Sequence, residues 1–575
     1  MKRRARPSGS RLRWAGGLLG LSALVVVLVV NVVASAAPAT TKAAKATHAC
    51  PVATGSGDGT FVRNFNPYAG SKLDFTLGGI YEPLVVVTPA GGGHQYPWLA
   101  SALTWKNNTT LVLTIRSGVK WSDGQPLTNK DVVFSLTAGL KNAAMDRVGL
   151  TAKDREISSI RTTGKNKVTI KLKATDSTFI GSQLNNVFVV PQHIFAAHTG
   201  DIDKWTNPNP VGSGPFTKVT RFNGQDYVLG KNPNYWMKGA PKVSCFERIA
   251  ATSNDAALVQ IVSGQADWSH NFVPNVETAY EAKDPAHYHS FYATTSLPIG
   301  LYFDTTKYPY SVVGFRKGVS QAIDRVKVSK LGEYGYAPPS DAVGIKFMWP
   351  TWVDPKLAAQ SKALSTYSPT NAKKTFTDAG FTYKSGKLFD PHGDAVSFQI
   401  HVIAGWSDWV ASLNIITQNL KSVGIDASVK LQPDWNAWWP NASSTKVVTL
   451  LWNYGGGPTP YGYFKSHFDT SSAHASGADQ SDTGDWEHFS DATATQLLQQ
   501  FRGTLDVKKQ HTIANQLQAI FLQKFPFAPL FVGPQWSTYS TKYFTGWPTP
   551  KNYYAQPIFN TTPDNVVILT RVKPA

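Results

Sequence analysis

Residues 115–136, IRSGVKWSDGQPLTNKDVVFSL, carry the signals for a strand, a turn and a helix in succession. Inside this stretch Asp123-Gly124 predicts a tight turn, because glycine accepts a positive φ and the Asp side chain bonds back to the backbone. Thr128 is the predicted N-cap, and Asp131, three residues later, makes a carboxylate variant of the capping box. The helix that begins there is predicted to run to about Leu140.

Two segments with strict alternation lie on either side of this stretch. Residues 110–116 (TLVLTIR) and 167–173 (KVTIKLK) place an apolar side chain at every second position. Successive side chains of a strand point to opposite faces, so this pattern predicts two strands that are each buried on one face.

Helices with recognisable ends recur further along the chain. Asn254 is predicted to cap a helix that Gly264 closes, and Ser368 to cap one with proline in its first position and Gly380 just beyond its end. A longer apolar stripe starts near SDWVASL and stops at Gly424. Strands and helices that alternate in this way predict an α/β protein with ligands at the ends of strands.

The chain has 575 residues, which is too long for a single hydrophobic core and predicts two or three domains. Aromatic residues make up 12% of it, and 18 of them are tryptophan. Tryptophan and tyrosine combine a large apolar area with a polar edge, so this richness favours either a ligand surface or a generous core.

The N-terminus has the layout of a secretory signal. Six Lys/Arg and no acid precede a long apolar run, and small residues at Ala34-Ser35-Ala36 predict cleavage after residue 36. An uncleaved single-span anchor is the alternative, because the run is nearly long enough to cross a bilayer. Residues 37–49 read as a flexible spacer. We therefore expect an exported protein, in the periplasm, attached to the cell envelope or extracellular.

Export also bears on charge. Loss of the six positive charges would lower the net charge from +19 to +13, without long basic runs. Nucleic acid is excluded as a partner, since no clustered basic stripe is present and the chain is predicted to leave the cytoplasm.

Two cysteines, Cys50 and Cys245, are present. In an oxidising compartment such a pair predicts a disulfide that ties the start of the mature chain to its middle. The alternative, lipid attachment at Cys50, fits the sequence THAC poorly.

Signatures of catalysis and of cofactor binding are missing. The sequence holds no GxSxG, HExxH, GxxxxGK[ST] or CxxC motif, and its 13 histidines are scattered. The GSGDG at residues 55–59 is only superficially like a dinucleotide-binding loop, because no strand-to-helix unit with a downstream acid follows it. The sequence predicts no cofactor, no metal site and no enzymatic activity.

Several separated segments resemble, in order, the extracytoplasmic solute-binding proteins of ABC importers, in the large oligopeptide and dipeptide type (bacterial solute-binding protein family 5). The most specific is the strand–turn–helix stretch at 115–136, and the resemblance covers about residues 60 to 550. The other segments are YEPLVVV (81–87), VGSGPFTKV (211–219), LGKNPNYW (229–236), ALVQIVSGQADW (257–268), LYFDTTKYPYSVVGFRKGVSQAIDR (301–325) and IFLQKFPFAPLF (520–531).

The resemblance implies a two-lobed α/β fold of the periplasmic-binding-protein type II, with an extra subdomain in the first lobe. Carried onto this chain, the first lobe would comprise residues 50–295 and 540–575, with the extra subdomain at 80–206, and the second lobe residues 296–539. It also implies a monomer that closes on a small solute and delivers it to the permease subunits of a membrane transporter.

Residues 452–464, WNYGGGPTPYGYF, are predicted to form an aromatic loop. This loop limits the class of solute that the protein is expected to bind. In the peptide-binding members of the family that this chain resembles, the corresponding region has a Trp followed closely by an Asp, whose carboxylate binds the peptide amino group. Here no acid lies between Asp434 and Asp469, and a buried ammonium without a counter-charge is costly. The loop and the sequence GWSDW instead resemble members that bind β-linked oligosaccharides such as cellobiose.

The interpretation favours an oligosaccharide, with a short peptide as the alternative and nickel chelates or opines as further possibilities in the wider family. A secreted carbohydrate-active enzyme is the alternative of another class. Six tryptophans fall between residues 406 and 452; of these, Trp435 and Trp439 are predicted to pack in the core. The predicted ligand contacts are Trp406, Asp408, Trp409, Asn453, Pro460, Tyr461, Tyr81 and Glu82.

Overall fold

The computed structural model describes residues 48–151, 157–443, 449–453, 455–473 and 483–575. The predicted signal segment 1–36 and all but the end of the predicted spacer 37–49 lie outside these ranges. Within the described ranges, no helix combines the length and the apolar character needed to cross a membrane.

The strands, numbered along the chain, are short and distributed over its whole length. They are β1 Val52–Ser56, β2 Val85–Thr88, β3 His94–Pro97, β4 Ala100–Asn107, β5 Thr110–Ile115, β6 Ile157–Thr162, β7 Lys167–Leu172, β8 Phe216–Phe222, β9 Asp226–Lys231, β10 Cys245–Ala251, β11 Trp268–His270, β12 Tyr288–Ser290, β13 Pro298–Phe303, β14 Thr382–Lys384, β15 Lys387–Phe389, β16 Ser397–Ile403, β17 Asp426–Gln432, β18 Thr449–Trp452, β19 Ala528–Val532, β20 Thr538–Ser540, β21 Phe544–Thr545 and β22 Lys573–Pro574.

The α-helices range from single turns to five turns and alternate with these strands. They are α1 Asn129–Thr137, α2 Gln192–Phe195, α3 Asn254–Val262, α4 Val276–Ala279, α5 Val313–Ala322, α6 Arg325–Lys327, α7 Ala358–Ser365, α8 Pro369–Asp378, α9 Ser407–Ser422, α10 Trp435–Ser443, α11 Tyr461–Phe468, α12 Ala492–Arg502, α13 Val507–Lys524 and α14 Asp564–Arg571.

The strand, turn and helix predicted for residues 115–136 are confirmed. The Asp123 side chain accepts a hydrogen bond from the Gln125 amide at 3.0 Å, and Gly124 has φ +92°. Thr128 and Asp131 form a complete capping box at the start of α1. The helix ends three residues before the predicted Leu140, because Ala138–Leu140 tightens into a 3-10 turn.

The first lobe is built on a sheet of seven strands in the described part of the chain, in the order β12-β20-β11-β1-β10-β9-β8. β1 lies at its centre and pairs in parallel with both β10 and β11. A separate sheet, β4-β5-β7-β6, carries the two strands predicted from alternation, and their alternate side chains are buried as expected.

The second lobe is built on the sheet β17-β16-β18-β13-β19, whose apolar core runs from Ile299 to Phe531. The chain leaves the first-lobe sheet after β12 and returns to it at β20, so residues 291–297 and 533–537 connect the two lobes. The two connections run side by side, with an antiparallel bridge between Ala293 and Gln535.

Helix ends agree with the predictions in most places. Ser368 caps α8, and Gly380 and Gly424 take positive φ just beyond α8 and α9. The predicted cap Asn254 is wrong: Ser253 caps α3 with its hydroxyl, and Asn254 is the first helical residue. Because Asn254 is not the cap, its side-chain amide can bind the second lobe, as described below.

Cys50 and Cys245 are joined by a disulfide with their Cα atoms 5.0 Å apart. The bond ties a residue two positions before β1 to the first residue of β10. The N-terminal end of the described chain is thus attached to the first-lobe sheet.

Candidate functional site

A cavity of about 540 Å³ lies between the two lobes. Its first-lobe wall comes from the loop after β1, from residues 70–74 and from the ends of β10 and β11, and its second-lobe wall from the starts of α9 and α10 and the end of β18. The connecting residues 533–536 form part of its lining. This is the position at which open α/β sheets bind ligands, beyond the ends of their parallel strands.

Four tryptophans form the second-lobe wall of the cavity, Trp406, Trp409, Trp435 and Trp452, and a fifth, Trp536, lines it from the connection between the lobes. The ring centroids of Trp406 and Trp452 are 6.1 Å apart with nearly parallel planes, and Trp409 meets Trp406 edge-on at 4.9 Å. All four are half-buried. Their mutual packing holds the rings in fixed positions and presents an aromatic wall.

The core assignment of the tryptophans on α10 needs a correction. Trp435 lines the cavity, whereas Trp438, only 1% exposed, packs beneath it in the core. Trp439 is half-buried and stacks on Trp435 at 4.8 Å. These three positions lie on one side of a helix with 3.6 residues per turn, so sequence spacing does not separate cavity from core.

Residues 55–59, at the end of β1 and in the loop after it, bring the first lobe against this aromatic wall. The indole nitrogen of Trp406 donates to the Ser56 carbonyl at 3.4 Å, and the backbone amide of Trp435 donates to the Gly57 carbonyl at 3.1 Å. Gly57 has φ +97°, and a Cβ there would lie 2.8 Å from the Trp406 indole nitrogen. Sequence reasoning missed this loop as a ligand wall, although a glycine-rich turn after the first strand was a usable signal.

The starts of α3 and α9 meet across the cleft. The Asn254 amide group donates to the Asp408 carboxylate at 3.0 Å and to the Ser407 hydroxyl at 3.1 Å. The Asn254 backbone amide donates to the Gly405 carbonyl at 2.9 Å. Three hydrogen bonds thus join the two lobes at one edge of the cavity.

Asp408 lines the cavity and is 4% exposed. Burial raises its pKa to about 6, while the hydrogen bond from Asn254 acts in the opposite direction. Glu333 lies nearby: burial first, and then the charge of Asp408, raise the pKa of Glu333 well above its ordinary value. Both buried acids therefore keep their protons to a higher pH than they would in water.

The other acids of the cavity are already engaged. Arg248, a buried side chain of β10, donates to Asp58 and, at 3.0 Å, to Asp74. Burial alone lowers the pKa of Arg248, but these two carboxylates raise it above its ordinary value. Arg248 therefore remains charged and takes up acceptor positions of both acids, which makes neither a vacant partner for a cation.

The predicted contacts in residues 452–464 divide between cavity and core. Asn453 lines the cavity. Pro460 and Tyr461 do not line this cavity: Pro460 precedes α11, and Tyr461, 5% exposed, begins this helix and packs on Phe501. Pro458 packs against Gly181 of the first lobe, and the loop thus serves as a lobe contact. Tyr454 lies outside the described residues.

Tyr81 and Glu82, also predicted as ligand contacts, do not line this cavity either. Both are 0% exposed in the first-lobe core. The Glu82 carboxylate accepts hydrogen bonds from the indole nitrogens of Trp98 at 2.7 Å and Trp236 at 3.1 Å, and from the Tyr235 hydroxyl at 2.9 Å. These hydrogen bonds hold the YEP segment against the NPNYW segment, so Glu82 has a structural role.

Burial raises the pKa of Glu82 to about 7, against an ordinary value of 4.5. A raised folded-state pKa means that the stabilising contribution is fully present below the unfolded pKa and is lost as the pH rises through the folded one. We therefore expect Glu82 to make the free energy of unfolding fall as the pH rises from about 4.5 to about 7, and to add no further pH dependence above that. Urea unfolding of the wild type and Glu82→Gln over this range tests it, and equal pH slopes would contradict it.

The family relationship is visible along most of the chain. Residues 94–475 match the model of bacterial extracellular solute-binding proteins, family 5 Middle. The oligopeptide-binding protein AppA of Bacillus subtilis is 25% identical over 370 residues, which cover 61% of this chain and 64% of AppA. The oligopeptide-binding protein OppA of the same organism is 22% identical over 492 residues, which cover 81% of this chain and 85% of OppA.

Solved structures agree with this relationship. A periplasmic oligopeptide-binding protein of Thermotoga maritima with bound mannohexaose has a TM-score of 0.81 and 27% identity, and the match covers 91% of this chain and 98% of that one. Bacillus subtilis AppA in complex with a nonapeptide has a TM-score of 0.73 at 19% identity, with 92% and 99% covered. The second likeness concerns the fold alone.

The predicted two-lobed α/β fold is confirmed by these neighbours. The relatives are solute-binding proteins and not enzymes, in agreement with the prediction of a binding protein. The family match extends over more than half of the chain and includes the strand–turn–helix stretch at residues 115–136. The chain therefore belongs to the bacterial extracellular solute-binding proteins of family 5.

Proposed function

We propose that this protein captures an oligosaccharide, of the β-linked type, between its two lobes and delivers it to the permease of an ABC importer. The observation that carries the proposal is the aromatic wall of Trp406, Trp409, Trp435 and Trp452 on one side of a 540 Å³ cavity. This volume lies within the range of about 300–1,000 Å³ that is usual for small-molecule sites.

The chemistry of the lining suits a neutral, hydroxylated ring. Sugar rings have apolar C–H faces that stack on indoles and hydroxyl rims that need hydrogen-bond partners. Side-chain amides at Asn271, Asn436, Asn453, Gln535 and Asn560 line the same cavity. They offer donors and acceptors without net charge.

Capture would work by closure about the two connections, residues 291–297 and 533–537. A solute shifts the balance between open and closed lobes only as far as it binds the closed cavity more tightly. We place the moving bodies at residues 50–295 with 540–575 and at residues 296–539, with the extra subdomain at 80–206. The protein would act as a monomer on the outer side of the membrane, anchored or free.

The mannohexaose bound to the Thermotoga maritima neighbour supports a carbohydrate. A short peptide is the second candidate, favoured by one observation: Asp408 presents a buried carboxylate to the cavity and, among the described residues, forms no salt bridge. A peptide amino group could pair with it, whereas a sugar hydroxyl would only donate to it.

The experiment is a melting-temperature screen of the mature protein against cello-, xylo- and manno-oligosaccharides, di- and oligopeptides, and metal chelates. Ligand at 100 times its Kd stabilises the bound form by about 2.7 kcal/mol, which gives a clear shift. A shift with an oligosaccharide and no product of hydrolysis supports the proposal. A shift with peptides alone, or hydrolysis of the sugar, contradicts it.

Trp406→Ala is expected to weaken solute binding at least about tenfold, because it removes the indole that stacks in the cavity and contacts the first lobe. Tyr461→Ala is the contrast: it should leave affinity unchanged and lower the free energy of unfolding by about 3 kcal/mol, since Tyr461 is buried in the core. Titration calorimetry and urea unfolding of both variants measure the two effects. Equal affinity of Trp406→Ala and wild type would contradict the proposed wall.

Asp408→Asn distinguishes the two solute classes. The amide oxygen can still accept from Asn254, so the lobe contact is retained while the charge is lost. For a neutral sugar we expect an affinity change below about threefold, and for a peptide held by its amino group a loss of at least about 100-fold. Titration calorimetry with each solute that raises the melting temperature in the screen measures the affinity of Asp408→Asn and of the wild type. A large loss of affinity for a sugar would contradict the interpretation that the solute is a neutral ring.

A further inference from the structure

A second cavity, of about 360 Å³, adjoins the first. It lies wholly in the first lobe, between residues 62–71 and 202–206, with Ala144 at its edge. The two cavities share Val62, Gly70 and Ser71, which form a common rim. A chain molecule that fills the first cavity can therefore continue over this rim into the second.

We propose that the second cavity is a further carbohydrate subsite, which binds the distal units of an oligosaccharide whose first units lie against the four tryptophans. The assignment rests on the proposed function, since it presupposes a sugar in the first cavity. It adds that the solute is longer than a disaccharide and that affinity grows with chain length.

The second cavity repeats the chemistry of the first on a smaller scale. Two half-buried aromatic side chains, Tyr68 and Trp205, line it together with the polar side chains of Asn64, Ser71 and Thr206 and the exposed, charged side chains of Asp203 and Lys204. His198 stacks on Trp205 at 3.9 Å with an interplanar angle of 5°, which holds the indole in one orientation. Rings held in place beside hydrogen-bond donors and acceptors are what a sugar unit requires.

The rim itself is open at Gly70. A Cβ at this position would meet only the indole nitrogen of Trp439, at 4.0 Å, and its backbone has no positive φ. A larger side chain at position 70 can therefore be accommodated by the fold while it narrows the passage. Trp439 belongs to the second lobe, so closure brings an indole N–H to the place where the sugar chain would cross.

The test is titration calorimetry of the full mature chain with cello- and manno-oligosaccharides from the disaccharide to the hexasaccharide. For the wild type we expect the hexasaccharide to bind at least about tenfold more tightly than the disaccharide. Trp205→Ala should abolish this gain and leave disaccharide affinity unchanged. Gly70→Val removes no packed side chain and narrows the passage between the cavities. It should also reduce the gain in affinity from the disaccharide to the hexasaccharide. Trp105→Ala, a more exposed tryptophan outside both cavities, should retain it.

The outcomes separate the two proposals. Disaccharide binding without any gain in the longer sugars would overturn the second subsite and leave the proposed function standing. A gain that persists in both Trp205→Ala and Gly70→Val would also overturn the subsite. Failure of every oligosaccharide to bind the wild type would overturn the carbohydrate proposal first, and the subsite with it.

Discussion

Gly405→Ala is expected to reduce solute affinity at least about 100-fold, about 2.7 kcal/mol, while both lobes remain folded. Gly405 precedes α9 in the second lobe and touches the first lobe at the start of α3. A Cβ there would overlap the Thr252 carbonyl oxygen and lie 2.8 Å from the Ser253 Cα. Backbone cannot rotate away as a side-chain tip can, so the methyl group would hold the lobes apart.

Separation at this point affects more than one contact. The hydrogen bonds from Asn254 to Gly405, Ser407 and Asp408 would be lost together. The solute would then touch one wall of the cavity at a time. Since closure depends on the difference in affinity between the open and closed forms, a wedge in the closed form lowers affinity without contact to the solute.

Calorimetry gives the affinity, and small-angle X-ray scattering with and without solute gives the compaction. Gly200→Ala is the matched control, because a Cβ at Gly200 meets no atom within 4 Å and the residue has no positive φ. The control should bind and compact as the wild type does. Wild-type affinity and compaction in Gly405→Ala would show that the lobes do not close on this contact.

Glu82→Ala is expected to lower the free energy of unfolding of the first lobe by about 3 kcal/mol, because it leaves one buried and two part-buried donors without their acceptor, and a fully buried orphan donor costs about 1–3 kcal/mol. These donors are the Trp98 and Trp236 indole nitrogens and the Tyr235 hydroxyl. Relief of the buried charge offsets part of the loss, since burial raises the pKa of Glu82 to about 7.

Urea unfolding followed by tryptophan fluorescence measures this loss. Glu82→Gln is the control, since its amide oxygen can still accept from the same donors, and its loss should be much smaller. Solute affinity should stay near the wild-type value in Glu82→Gln, because the residue does not line either cavity. A change in unfolding free energy below about 0.5 kcal/mol in Glu82→Ala would contradict the structural role.

Local signals in the sequence predicted the elements well. The capping box at Thr128, the proline and cap at the start of α8 and the glycines after α8 and α9 all act on neighbours within a few residues. Such signals can be read from a short window because the groups they satisfy belong to the same turn of chain. Of these signals, the capping box also lies in a segment that carries the family resemblance, residues 115–136.

The site was only partly predictable. Of the residues predicted to contact the solute, Trp406, Asp408, Trp409 and Asn453 line the cavity, whereas Tyr81, Glu82, Pro460 and Tyr461 do not. Each of the latter four is buried. The residue type of an aromatic or acidic side chain does not show whether it contacts a ligand or packs in the core. Its tertiary contacts determine which of the two it does.

By itself the sequence determined the α/β class and the ends of most helices, because these depend on hydrogen bonds and side-chain periodicity between near neighbours, and the resemblance of its separated segments indicated the family. Only the tertiary structure decided which face of α10 meets the cavity, which partners hold Glu82 and where the lobes touch. Trp236 lies 154 positions from Glu82, and Asp408 lies 154 positions from Asn254. Contacts over such separations arise from the packing of whole sheets, and no local pattern specifies them.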